Sequence, residues 1–200
     1  YKKETAFVSN ERYKFATKLD KKIEKELKPL KLELAKFKTE ILRDQGSKFG
    51  CDHVCFTTEI NPGSGFKPLN KIASGGELSR FLLAAKLCFF DEDSKKTQIF
   101  DEIDRGVGGA TASAIGKRLL ELSKHEQVLV VTHSPQVAAY SDNHLKVEKV
   151  NSDKSTITKV TTLNEENTVR EIARMLSGEL VTTEALAAAA KLRNTSRGIS

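Results

Sequence analysis

Gln98-Ile99-Phe100-Asp101-Glu102 is a short apolar run closed by two carboxylates. Further on, Gln127-Val128-Leu129-Val130-Val131-Thr132 is a second apolar run, and His133 follows it. Between the two, residues Gly109 to Lys124 set Ala112, Ile115, Leu119 and Leu122 at helical spacing. Strand, helix, strand in this order predicts a βαβ unit, hence a parallel pair covered by helices. In open α/β folds ligands bind at the carboxyl edge of the strands. Asp101-Glu102 and Thr132-His133 would meet at that edge. Each signal alone is modest: many strands end in surface acids, and a lone His at a strand end is usually a polar surface residue.

Upstream lies Lys71-Ile72-Ala73-Ser74-Gly75-Gly76-Glu77-Leu78-Ser79-Arg80, a loop that turns into a helix. Ser74 can cap it, and Leu78, Phe81, Leu82, Ala85, Leu87 and Cys88 follow as an apolar-periodic run. Two glycines at a helix start leave backbone N–H groups open, and the helix dipole adds partial positive charge there. Such a site suits a phosphate, although on these residues alone a capped helix with a flexible approach is the favoured reading. Directly after the two carboxylates, Ile103-Asp104-Arg105-Gly106-Val107-Gly108-Gly109 reads as a Gly-rich turn that could hold Asp104 near a partner subunit.

Order makes these signals specific. Ser-Gly-Gly-Glu at a helix start, a strand ending Asp-Glu, an Asp in the following turn and a strand ending in His resemble the ordered set of an ABC-type ATPase: signature, Walker B, D-loop and H-loop. No Gly-x-x-x-x-Gly-Lys-Ser/Thr accompanies them. Gly63-Ser64-Gly65-Phe66-Lys67 lacks the second Gly-Lys, and Gly116-Lys117 lies too far from Gly109, with Arg118 where the hydroxyl residue would be. The phosphate loop is expected upstream of Tyr1 or on another chain.

The remainder organises around this centre. Ala16, Leu19, Ile23, Leu27, Leu30, Leu34, Phe37 and Ile41 form a heptad-like stripe. Pro29 limits the helix, predicted from about Glu4 to the 29–34 region, and the alternation from Ala35 to Ile41 predicts a strand. A turn over 44–50, a strand over 52–60 and a loop at Asn61-Pro62-Gly63-Ser64-Gly65 follow. The helix after Glu77 is expected to end near Asp91, before a polar connector over 91–96. Later come a short helix from Pro135, a hairpin of 144–150 with 156–160, a helix over 165–176 ended by Gly178, and a last helix capped by Thr182 or Thr183, running to Leu192 before a frayed tail. Cys51, His53 and Cys55 share one face of a strand, but without a fourth ligand they read more simply as a strand with small buried thiols.

The 200 residues suffice for one domain with an appendage, and 38% hydrophobic with 30% charged residues fits a large charged surface. The three cysteines are too few for a disulfide framework, which favours a reducing compartment. No run approaches a membrane span, and Tyr1-Lys2-Lys3-Glu4 is no signal peptide. The chain opens inside a charged helical pattern, as a fragment of something longer would. The net charge of +6 is uneven: residues 1–48 hold 14 Lys/Arg against 8 Asp/Glu, and residues 49–200 hold 19 of each. A basic helical arm could follow a phosphate backbone; a solvated Lys-rich helix is the plainer reading.

Val131-Thr132-His133-Ser134-Pro135-Gln136-Val137-Ala138-Ala139-Tyr140-Ser141-Asp142 resembles the RecN family of SMC-like ATPases in bacterial DNA repair, as do Lys71–Arg80, Ile99–Gly109 and Glu171-Ile172-Ala173-Arg174-Met175-Leu176-Ser177-Gly178. The resemblance runs from the arm-like helix to about Leu192. It implies an α/β fold, the C-terminal half of an ABC/SMC-type ATPase head: a mostly parallel sheet flanked by helices, with an N-terminal coiled-coil stub. Residues 1–34 would be the returning arm and residues 35–200 the head lobe. The implied cofactors are ATP and Mg²⁺. Ser74, Gly75, Gly76 and Glu77 would contact ATP held by an opposing head. Asp101 would organise Mg²⁺, directly or through water, Glu102 would orient or deprotonate water, His133 would sense the γ-phosphate, and Asp104 would communicate across the dimer. Implied partners are DNA, the N-terminal half of the same head and a second head in an ATP-sandwich homodimer, with no membrane. The setting would be the cytoplasm, at the bacterial nucleoid. Another chromosome-structuring SMC-like ATPase, an ABC transporter subunit, and a non-catalytic module binding DNA or a partner stay open as alternatives.

Overall fold

The apolar stripe from Ala16 to Leu30 is the element on which the lobe is built. A computed structural model describes residues 1–72, 74–89, 96–152 and 155–198. In it α1 (Lys2–Leu27) leads into a single 3₁₀ turn, Lys28–Leu30, with Pro29 near its start and Lys31 left-handed at its end (φ 60°). Leu19, Ile23, Leu27, Leu30 and Leu32 are buried in one core with Phe37, Phe81, Leu83, Phe100, Ile103, Ile115 and Leu119. The second half of α1 is therefore a core element of the lobe, and the stripe breaks at Leu34, which is 65% exposed.

The acids of α1 tie it to the strand that follows. Asp20 accepts from the backbone N–H and the hydroxyl of Thr39 (3.0 and 2.7 Å), and Glu24 from the N–H of Phe37 (3.2 Å). These bonds run along β1 (Lys36–Ser47), which pairs antiparallel with β2 (Gly50–Glu59), with β3 (Lys67–Pro68) on the far side of β2. The turn is Lys48-Phe49, not 44–50, and β1 runs well past Ile41. The ladder register shifts between Arg43 and Ser47, so polar, exposed Asp44, Gln45 and Gly46 are carried inside the strand without alternating burial. The first half of α1 meets this hairpin at its end and leaves an apolar groove of about 370 Å³ lined by Phe7, Phe15, Ile41, Val54, Phe56 and Phe89.

Next come α2 (Gly75–Cys88), β4 (Thr97–Asp101), α3 (Gly109–Ser123), β5 (Gln127–Val131) and the single turn α4 (Pro135–Ala138). The helix α2 ends at Cys88; the expected end near Asp91 and most of the 91–96 connector lie outside the described residues. β4 and β5 pair in parallel, with Asp101 opposite Val131. Among the described residues this is the one parallel ladder; β1–β2–β3 and β6–β7 are antiparallel. Phe100 is buried and Val128 and Val130 pack beside it, while Ile99, Leu129 and Val131 on the opposite face are exposed. Gly116 on α3 is needed for close approach, since a Cβ there would lie 2.4 Å from the Tyr140 ring.

β6 (His144–Ser152) and β7 (Ser155–Leu163) form the expected hairpin. Asn164 caps α5 (Glu165–Ser177), which stops at Gly178 (φ 82°), and Thr182 caps α6 (Thr183–Arg197). α6 continues past Leu192 because Arg193 and Ser196 are buried and Arg197 reaches Glu165 and Asp142. Ala138, Ala139, Ile172, Ala173, Ala185 and Ala189 make a second, smaller core.

Candidate active site

β4 delivers an exposed Asp101 to the carboxyl edge, and the chain then turns at Glu102, whose φ is 53°. A left-handed non-glycine residue costs about 1 kcal/mol, and here it tips the carboxylate outward immediately after the strand. Glu102 pairs with Arg105 at 2.8 Å, both side chains more than half exposed, and the Glu102 carbonyl accepts from the Arg105 N–H (3.0 Å). Ile103 is fully buried beneath this turn and holds it on the core.

Asp104 is turned inward and only 4% exposed. Its Oδ2 accepts from the Thr132 hydroxyl, and Thr132 Oγ1 in turn accepts from the Ser134 N–H (2.9 Å). The turn after β4 is thereby laced to the turn after β5, where His133 stands exposed. Asp101, Glu102 and His133 so share one edge of the parallel pair. Asp104 Oδ1 has no hydrogen-bond partner among the described residues.

The start of α2 leans on the same turn. The Cβ position of Gly76 lies 3.5 Å from the Glu102 carbonyl oxygen and 3.6 Å from that of Arg105. Gly76 is buried there, while Gly75 faces open space with nothing within 4 Å of its Cβ position. Ser74 caps the helix, its Oγ accepting from the Glu77 N–H at 3.4 Å. The two glycines thus do different work: Gly76 admits the carboxylate turn, and Gly75 leaves the front of the helix open. Ser74, Gly75 and the half-buried Glu77 line that front.

Sequence reasoning gave no role to Arg80. It is 7% exposed, and its Nε and Nη1 have no hydrogen-bond partner among the described residues. Burial lowers its pKa, with the Glu77 charge opposing. Its Nη1 lies 3.3 Å from the Gly76 Cβ position, behind the helix start. A cation inside the apolar stripe of Phe81, Leu83 and Ala84 was the available signal. Cys51, His53 and Cys55 are not gathered: Cys51 is buried beside Ser9, whereas His53 is exposed. Among the described residues no three His, Cys, Asp or Glu side chains are arranged to hold a metal.

Known proteins bear on this arrangement. A DNA repair protein RecN of Rickettsia bellii is 44% identical over 186 residues, 92% of this chain and 34% of its own length. One from Rickettsia prowazekii is 46% identical over 178 residues, covering 88% of the chain and 32% of the relative. One from Haemophilus influenzae is 43% identical over 183 residues, covering 90% and 33%. This is a RecN-like chain. It spans about a third of the length of the RecN relatives it matches. No protein-family model matches it. Among solved structures, an Smc head bound to the C-terminal winged-helix domain of ScpA superposes with a TM-score of 0.53 at 19% identity, covering 81% of this chain and 47% of that one. The head of an Smc protein from Pyrococcus yayanosii gives 0.54 at 17%, covering 80% and 29%. Over the matched residues the RecN-like chain has the fold of part of an SMC-type head.

Proposed function

We propose that this chain is the C-terminal half of an ATP-hydrolysing head in a protein of recombinational DNA break repair, with residues 1–34 the root of a returning arm and residues 35–200 the lobe. The observation that carries the reading is the convergence of the Ser74-Gly75-Gly76 helix start, the Asp101-Glu102 turn and the His133 turn on one edge. An ATP γ-phosphate from an opposing head would meet Ser74, the open Gly75 N–H and the dipole of α2. Asp101, an exposed carboxylate at a strand end, suits Mg²⁺, which binds one or two carboxylates and completes its shell with phosphate oxygens and water. Glu102 would orient or deprotonate the attacking water. Its pairing with Arg105 is largely in solvent, worth well under about 1 kcal/mol, so the carboxylate is readily released for that task. His133 would read the terminal phosphate. Asp101, Glu102 and His133 would act on the nucleotide held by this head's own phosphate loop, while Ser74, Gly75 and Gly76 serve the nucleotide of the opposing head. Asp104 would act from inside, by fixing Thr132 and so the position of His133. The N-terminal half of the head would supply the phosphate loop and cover exposed Ile99, Leu129 and Val131, because parallel sheets are buried on both faces. No helix among the described residues is long and apolar enough to cross a membrane, and the reading sets the protein at the bacterial nucleoid.

The test is Glu102→Gln in the full-length protein. The expected result is loss of ATP turnover with an ATP-bound dimer trapped on a sizing column. Unchanged hydrolysis would sink the water-activating role.

A further inference from the structure

The acids and the lysines of α1 part company. Asp20 and Glu24 are spent on β1, and Glu26 pairs with Arg118 of α3. Lys14, Lys18, Lys21, Lys22, Lys25 and Lys28 all stay exposed. Only Lys14 of these makes an ion pair among the described residues, with Glu11 one turn earlier. At 3.6 residues per turn, Lys14, Lys18, Lys21 and Lys25 fall within an arc of about 60°, and Lys28 extends their line. The arc is centred opposite Leu19, Ile23 and Leu27, which face the core. From Lys14 to Lys28 the ridge is about 21 Å long at 1.5 Å per residue.

We infer that this ridge binds the sugar-phosphate backbone of double-stranded DNA. A line of ammonium groups on flexible stems fits a line of phosphates, and about 21 Å spans roughly six phosphates of one strand at 3.4 Å each. A membrane surface suits it poorly: an interfacial helix needs a free apolar face, and behind the ridge that face, Leu19, Ile23 and Leu27, is already inside the lobe. Charge is directed here by use, since Asp20, Glu24 and Glu26 are engaged with β1 and α3, and among the described residues only Glu11 is left to pair with the ridge, at Lys14. The inference rests on the DNA-repair reading for its ligand but is independent of the ATP site.

The test uses the full-length protein and a DNA duplex, with affinity measured by fluorescence anisotropy across a salt series. Lys14→Glu, Lys18→Glu, Lys21→Glu and Lys25→Glu are combined in one variant. A matched variant reverses Lys117, Lys149, Lys159 and Lys191, exposed lysines elsewhere. At about 0.9 per phosphate contact, the ridge variant should flatten the log–log salt slope by roughly 3.6. Between 50 and 200 mM salt the wild type should then lose about a hundredfold more affinity than the ridge variant. The matched variant should keep the wild-type slope, and circular dichroism should show both variants folded. An unchanged slope in the ridge variant overturns the inference, as does an equal change in the matched one. A wild type that binds anionic vesicles but no duplex overturns it together with the DNA arm of the proposed function, while the Glu102→Gln test of turnover stands apart.

Discussion

The two cores of this chain are held by different physics. The larger gathers leucine, isoleucine and phenylalanine from α1, α2, β4 and α3. The smaller is mostly alanine, from the end of α4 with α5 and α6. Alanine buries little surface, and the smaller core makes up the deficit with Arg193. That side chain is 2% exposed and donates to the Ala139 carbonyl (2.9 Å), to the Ser141 carbonyl and to Glu165 (3.0 Å). The seam between the two runs through α4, whose Val137 belongs to the large core and Ala138 to the small one. His133 sits just before that seam. The edge carrying the proposed chemistry is therefore positioned by an apolar core on one side and a polar clamp on the other.

The comparison is broken most forcefully from the apolar side. Phe81 is fully buried at the centre of the large core. Phe81→Ala should cost about 3–5 kcal/mol through lost transfer energy and the cavity left behind. Urea unfolding followed by far-ultraviolet circular dichroism should show the loss as a lower midpoint with an unchanged slope. A loss below about 1 kcal/mol would mean that α2 is not a core element.

Arg193→Met keeps bulk but removes every donor of the clamp. The Ala139 and Ser141 carbonyls would be left without their partner, so the expected cost is roughly 2–4 kcal/mol. Because the clamp serves only the smaller core, hydrogen exchange should rise in α5 and α6 more than in α2 and α3. Equal rises in both would show that the two cores open as one unit.

The parts legible in sequence were those with a local signature. The Asp101-Glu102 and His133 strand ends, the Ser74 cap, Pro135, the Gly178 stop and the 144–160 hairpin all rest on neighbouring residues or short periodicities, and the chain folds as those signals predict. Contacts made across distance were not legible. Nothing local marks Asp20 or Glu24 as strand-bracing acids, so the packing of the second half of α1 into the core was not legible in the heptad-like stripe. The hydrogen bond between Asp104 and Thr132 could not be read from sequence, because Thr132 follows another strand. Arg193 passed unnoticed and the last helix was ended too soon, since an arginine near the chain end looks solvated until its buried acceptors are known. Polar residues exposed on both faces of β1 hid the length of that strand for the same reason.

The mildest and most selective way to separate the cores is acid. Burial holds the half-buried His144 imidazole below its ordinary pKa; Arg193 adds to this and Glu171 opposes it. Hydrogen bonding from Arg193 lowers the Glu165 carboxyl. At Glu171 burial pushes upward but is outweighed by the Arg174 hydrogen bond and by the Arg174 and Lys146 charges, so this carboxyl is lowered as well. All three folded-state values lie below the unfolded ones, so the unfolded chain takes up protons first as pH falls. Their contribution is complete above about pH 6.5 for His144 and about 4.5 for the two glutamates, and drains away below those points. All three residues belong to the β6–α5–α6 side. Between about pH 7 and 4, exchange protection of α5 and α6 amides should fall relative to α2 and α3, a ratio in which the intrinsic pH dependence cancels. His144→Gln should erase the first stage, below about 6.5, and keep the second. A ratio that stays flat across the whole range would mean that the small core owes nothing to these groups, and that its stability, like that of the large one, is apolar.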